Sequence, residues 1–87
     1  QAAIADSLGW AYFRQGDTAR ALPLLESAGV AAPVDAEIAE HLGDVYWAVG
    51  RRYEARYAWK AARVVAKPDD AARLDAKILD GPAAPRS

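Results

Sequence analysis

Asp6-Ser7-Leu8-Gly9-Trp10-Ala11-Tyr12 decides the fold, because its pattern returns as His41-Leu42-Gly43-Asp44-Val45-Tyr46-Trp47. Gly9 and Gly43 lie 34 residues apart, and in both segments Leu-Gly is followed by Tyr three residues after the Gly. Seven residues after the same Gly stands a second one, Gly16 in the first segment and Gly50 in the next. The register persists: Ala21 matches Ala55, Leu25 matches Trp59 and Ala28 matches Ala62. Self-similarity at this period is the signature of a stacked helical repeat, in which no unit buries its apolar side alone.

Composition agrees. The 87 residues are 53% hydrophobic, rich in Ala, with 6 Gly and 5 Pro, which suits thin, closely packed helices and one small all-α domain. A net charge of −1 argues against nucleic acid as the main partner, since a phosphate-tracking surface carries an excess of Lys and Arg. There is no Cys, hence no disulfide framework or thiol chemistry, and the redox compartment stays undecided. No apolar run approaches the ~18 residues of a membrane span. The chain opens on Gln1 and enters a helix at once, which suggests a piece of a longer protein from which any targeting segment is missing.

Five helices are predicted. The first covers residues 2 to 15, with Ile4, Ala5, Leu8, Ala11 and Tyr12 on its buried side and Asp6, Trp10, Phe13 and Arg14 on the other. Gly16 and Asp17 end it, and Asp17 or Thr18 caps a second helix that runs to residue 28, where Gly29 is the expected stop. Pro23 lies close enough to its first turn to be tolerated, and Pro33 marks the following turn. The third helix, residues 35 to 49, sets Ile38, Leu42, Val45, Tyr46 and Val49 against Glu37, Glu40, His41, Asp44 and Ala48. The fourth, residues 52 to 66, has Ala55, Trp59, Ala62 and Val65 inward. Outward it carries Arg52, Arg56, Lys60, Arg63 and Lys67 as a continuous basic stripe. Asp69 or Asp70 is expected to cap the fifth, with Leu74 and Ile78 on its narrow apolar side.

These positions resemble the tetratricopeptide repeat. Repeat one supplies Leu8, Gly9, Tyr12, Gly16, Ala21, Leu25, Ala28 and Pro33; repeat two supplies Leu42, Gly43, Tyr46, Gly50, Ala55, Trp59, Ala62 and Pro68. The early Trp of that family is replaced by Ala5 and Ala39, and the aromatic after the second Gly by Thr18 and Arg52. Pro68 follows Pro33 by 35 residues, so the second helix of repeat two is expected to be one residue longer. The resemblance implies repeat one at about residues 2–34, repeat two at 35–68 and a capping helix at 69–80. Together they form a 1–80 domain in a right-handed superhelical stack, with a flexible tail at 81–87. The style is that of closing repeats in long bacterial proteins, cytoplasmic or of the cell envelope.

Candidate chemistry is sparse. Glu37, His41 and Asp44 have a spacing that a divalent metal could use, but one His among carboxylates on one helix is far more often a solvated polar face, and no metal or other cofactor is assigned. Ser7, Ser27 and Ser87 carry no supporting motif for nucleophilic catalysis, and there is no phosphate-binding Gly loop, so an enzyme is not expected.

The aromatic residues on polar sides point instead to a partner. Trp10, Phe13 and Trp47 sit among Asp6, Glu40 and Asp44, and the resemblance places the first helix of each repeat along a concave groove. Phe13 and Trp47 occupy equivalent positions and are as readily packing residues as groove residues. Asp6, Glu37, Glu40 and Asp44, with Arg14 the main positive group, predict an acidic groove. It suits a basic and apolar peptide better than a terminal carboxylate. The expected function is a non-catalytic protein-interaction module. Terminal packing of a longer array, homo-oligomerisation, and anionic-surface binding through the basic stripe are the alternatives.

Overall fold

The computed structural model describes residues 1–83 as five α-helices, with no strand among the described residues. They are α1 (Ala2–Arg14), α2 (Thr18–Ala31), α3 (Ala36–Ala48), α4 (Arg52–Val65) and α5 (Pro68–Asp80). α1 packs on α2 and α3 on α4 as two hairpins; α2 then packs on α3, and α4 on α5. The second hairpin starts and ends each helix 34 residues after the first, so the sequence period is also the structural one.

Both hairpins turn in the same way. Gly16 and Gly50 each adopt φ +85°, a conformation that a Cβ penalises. After each, the next amide reaches back into the finished helix: Asp17 N–H donates to the Tyr12 carbonyl and Arg51 N–H to that of Tyr46, both at 2.9 Å. Asp17, not Thr18, caps α2 by accepting from the Arg20 amide at 3.1 Å, and Asp35 caps α3 through the Ile38 amide at the same distance.

Several boundaries differ from expectation. α2 runs through Gly29 to Ala31, because an interior Gly weakens a helix without stopping it; the stop comes at Ala32, which leaves the helical region (φ −135°, ψ 71°) before Pro33. α4 is not the longer of the second helices, since α2 and α4 both have 14 residues. Pro68 instead becomes the first residue of α5, where its missing N–H costs nothing. This puts Asp69 and Asp70 inside the first turn, favourable to the helix dipole but not capping it. At the far end Gly81 is buried against Trp47, so the expected tail starts after it, and residues 84–87 lie outside the described residues.

The core is two clusters in series. Ala21, Leu25 and Val45 form one, with Tyr12, Phe13, Leu22 and Leu42 packed around them. Ala55, Trp59, Ala62 and Leu74 form the other. The burial of α1 reverses the helical-wheel expectation: Asp6 and Gly9 are buried, whereas Ile4 and Leu8 are 67% and 47% exposed, and Ala11 is exposed too. Their equivalents Ile38, Leu42 and Val45 are covered because a helix pair precedes α3, while no described helix covers that side of α1. Val49 and Val65, expected inward, are exposed at helix ends.

Within each hairpin the helices touch at a glycine. A Cβ on Gly43 would stand 2.4 Å from Trp59 Nε1 and 3.0 Å from the Ala55 carbonyl oxygen; on Gly9 it would meet Leu25 Cγ at 2.9 Å. At Gly29 the nearest atom, Leu42 Cδ2, is an ordinary 3.5 Å away. Gly43→Ala should therefore destabilise the protein by about 2–3 kcal/mol, Gly9→Ala by less. Gly29→Ala should stabilise it by about 0.5 kcal/mol. Urea denaturation of the three variants checks the order; equal effects would refute the contact.

Candidate interaction site

A cleft of about 750 Å³ opens between α1, α3 and α5. Residues three and four apart on a helix share a side, and α3 thereby turns Glu37, Glu40, His41 and Asp44 into it. α1 contributes Trp10, and α5 contributes Arg73 and Lys77, again four residues apart.

On the α1 side, Trp10 stacks on His41 with ring centroids 3.9 Å apart and planes 14° apart. His41 Nδ1–H donates to Asp6 Oδ1 at 2.8 Å, so a buried carboxylate fixes the ring that supports the indole. Asp6 thus tethers α1 to α3.

On the α5 side, Arg73 grips Glu40 with two hydrogen bonds of 2.8 Å, Nε to Oε2 and Nη2 to Oε1. Lys77 Nζ donates to Glu40 Oε2 at 2.7 Å and to Asp44 Oδ1 at 3.0 Å. Asp44 Oδ1 also accepts from the Trp59 indole at 3.0 Å. Among the described residues no buried side-chain polar atom lacks a partner.

The two carboxylates respond in opposite directions. The Arg73 guanidinium holds the Glu40 carboxyl down to about 2, with Lys77 assisting and burial opposing. Burial pushes Asp44 above the usual carboxylate range, outweighing Lys77.

The cleft therefore brings together Trp10, Glu37, Glu40, His41 and Asp44, but not as the free acidic lining that the sequence suggested. Asp6, Glu40 and Asp44 are committed to His41, Arg73, Lys77 and Trp59, and Glu37 is the exposed acid among the four. Arg14 is exposed outside the cleft lining. Phe13 packs on the first core cluster and Trp47 on the second, so both are packing residues. Trp47 is sandwiched further: Gly81 lies against it, and the guanidiniums of Arg52 and Arg56 stand 4.4 and 5.0 Å from its ring centre.

That sandwich also engages part of the basic stripe. Arg56 Nε donates to the Ile78 carbonyl at 2.9 Å, Arg63 pairs with Asp75 at 2.9 Å, and Lys67 sits at the edge of the cleft; Lys60 is exposed. Arg56 and Arg63 thus engage α5, while Arg52, Lys60, Arg63 and Lys67 remain exposed. Of Glu37, His41 and Asp44, the last two are bonded to Asp6 and to Lys77 and Trp59, and no group of three or more His, Asp or Glu side chains among the described residues is placed to hold an ion. Arg73 and Lys77 were missed as site residues, although their four-residue spacing matches that of Glu40 and Asp44.

Comparison with protein-family models, curated proteins and solved structures gave no match. No helix among the described residues is long and apolar enough to cross a membrane.

The Glu40 network makes acid stability testable. A carboxyl whose folded value is depressed contributes fully above its unfolded value, 4.5, and that contribution is lost as pH falls towards about 2. Discounted for the half-exposed Arg73, the loss should be about 2 kcal/mol. Asp44, shifted upward, works against it over the range above 3.8. Glu40→Gln should lower stability at pH 7 and flatten the acid limb between pH 4.5 and 2, as read by urea denaturation across pH. An unchanged acid limb would remove Glu40 from the network.

Proposed function

We propose that the two hairpins are repeats of the tetratricopeptide type, stacked in a right-handed superhelix and closed by α5. The chain then serves as a non-catalytic protein-interaction module. The repeat reading is supported by the shared helix boundaries and by the glycine contact at Gly9 and Gly43. The interaction reading is carried by the state of the cleft: its buried polar groups are satisfied by one another, which leaves the half-buried Trp10 and the exposed Val34, Val65, Asp35, Glu37 and Lys67 facing a ligand. A surface of this kind binds by contact area, with the exposed Glu37, Asp35 and Lys67 as the charges that orient a ligand. Its ligand is a protein segment that lays an apolar side chain on Trp10 and sets a Lys or Arg beside Glu37. Charge selects the partner less strongly than a groove of four free acids would, because three of the four are already hydrogen-bonded within the protein.

Glu37→Lys should weaken capture of such a segment about tenfold while leaving the melting temperature nearly unchanged. Trp10→Ala should weaken it at least as much, and should also cost about 1 kcal/mol of stability through loss of the His41 stack. Isothermal titration of both variants against a captured partner segment is the measurement. Binding indifferent to both would exclude the cleft.

A second reading rests on a separate observation, the exposure of Ile4 and Leu8 where the equivalent Ile38 and Leu42 are covered. In that reading α1 stacks on another helix pair, in a longer array or in a second copy. A second copy predicts a sedimentation coefficient that rises with concentration and becomes constant in Leu8→Glu. A concentration-independent value for the unmodified chain would dismiss it.

A further inference from the structure

Opposite the cleft, α3 borders a second depression of different chemistry. Glu37, Glu40, His41 and Asp44 occupy one side of this helix; Ala39, Leu42 and Tyr46 lie half a turn around it and line a hollow of about 580 Å³ between α2 and α4. Leu42 and Ala58 belong to its apolar lining, and Val30, Tyr53 and Tyr57 stand along it 83%, 81% and 70% exposed. Such a contiguous group is more than the isolated surface hydrophobics that every protein carries.

The repeat itself shows that these tyrosines do not belong to the framework. Shifted by one period, Tyr53 and Tyr57 correspond to Ala19 and Pro23, and α2 forms and packs with those small residues in place. Two aromatic rings one helical turn apart, largely in water and dispensable to the fold, supply rigid contact area suited to a partner.

Charge limits what that partner can be. Glu26, in the lining, accepts the Tyr46 hydroxyl on Oε2 at 2.6 Å, and no cation among the described residues lies within ion-pairing distance of it. Glu54, in the same lining, is paired with Arg51 at 3.0 Å. The Tyr46 hydroxyl is pushed up to about 12, by burial first and by Glu26 next, so it remains a donor, and its bond to Oε2 leaves Glu26 Oε1 spare. An apolar hollow beside a carboxylate that forms no ion pair, with the Arg51 guanidinium occupied by Glu54 and by the Tyr46 ring, favours a cationic side chain adjoining an apolar one.

We propose that the hollow between α2 and α4 docks a protein segment that seats a large aliphatic or aromatic side chain against Tyr53 and Tyr57, with a Lys or Arg placed beside Glu26. This surface is independent of the cleft on the other side of α3, and either can fail without the other.

The probe is a display library of random short peptides, selected in parallel on the whole chain and on Tyr53→Ser/Tyr57→Ser. Both tyrosines are exposed, so the double variant should melt with the parent. Peptides enriched on the parent alone should pair a large apolar residue with Lys or Arg. Their affinity should fall about tenfold or more in the double variant. Glu26→Gln, which keeps an acceptor for Tyr46, should weaken them several-fold, while Trp10→Ala and Glu37→Lys leave them unchanged. The proposal is overturned if no peptide distinguishes the parent from the double variant, or if the selected peptides lack a basic residue. It is equally overturned if the double variant abolishes self-association in sedimentation, which would make a second copy the occupant.

Discussion

The near-contact of backbone with side chain at Gly9 and Gly43 governs the rest of the molecule. At Gly9 the facing carbonyl is that of Ala21, 3.3 Å from the site of a Cβ; at Gly43 it is that of Ala55, at 3.0 Å. Helices this close leave no room for branched residues along the seam, and Ala21, Ala28, Ala55 and Ala62 are all fully buried. The space that remains takes one large side chain per hairpin, Leu25 in the first and Trp59 in the second. That single difference reaches the cleft. The indole of Trp59 needs an acceptor when buried and finds it in Asp44, whose counterpart in the first repeat is Trp10. Asp44 is thus tied to a packing requirement, whereas Trp10 answers no such requirement and stays at the cleft.

α5 shows what electrostatics adds to so small a core. Leu74 is its one fully buried apolar residue, with Ile78 partly covered, so apolar burial alone fixes its position weakly. Two cations four residues apart on α5 meet two carboxylates four apart on α3, and a shift of one residue would break every contact. Buried ion pairs are seldom a large net source of stability, but their geometry can select one register among several. The Arg56 hydrogen bond to the Ile78 carbonyl and the Arg63–Asp75 pair act along the other side of the same helix.

The period, the hairpin turns and the alanine seam were legible because each is a local rule read twice, once in each repeat. Sidedness was less so. A helical wheel ranks residues by polarity and places Asp6 and Glu40 in water, yet both are buried, because their partners His41, Arg73 and Lys77 come from other helices. The same wheel places Ile4 and Leu8 inside, although what buries their equivalents in α3 is the preceding hairpin and not their own hydrophobicity. Of the aromatic candidates, Phe13 and Trp47 recur at the same repeat position and pack, while Trp10, without an aromatic counterpart, lines the cleft. Tyr53 and Tyr57 obey the same rule and were passed over because they lie on α4, away from the expected groove.

Breaks in the repeat are therefore more informative about function than its matches. A matched position is explained by packing, since both copies must solve the same steric problem. An unmatched, solvent-facing position has no such explanation, and Trp10 with Asp44 opposite, like Tyr53 and Tyr57 with Ala19 and Pro23 opposite, falls on one or other side of α3. The two sides differ in kind. One is a polar cleft whose carboxylates Glu40 and Asp44 are held by α5 and which carries a stacked indole in its lining; the other is apolar, open and edged by a carboxylate that forms no ion pair. A helix fixed by glycine contact to its own hairpin and by ion pairs to the cap holds both surfaces in place at once.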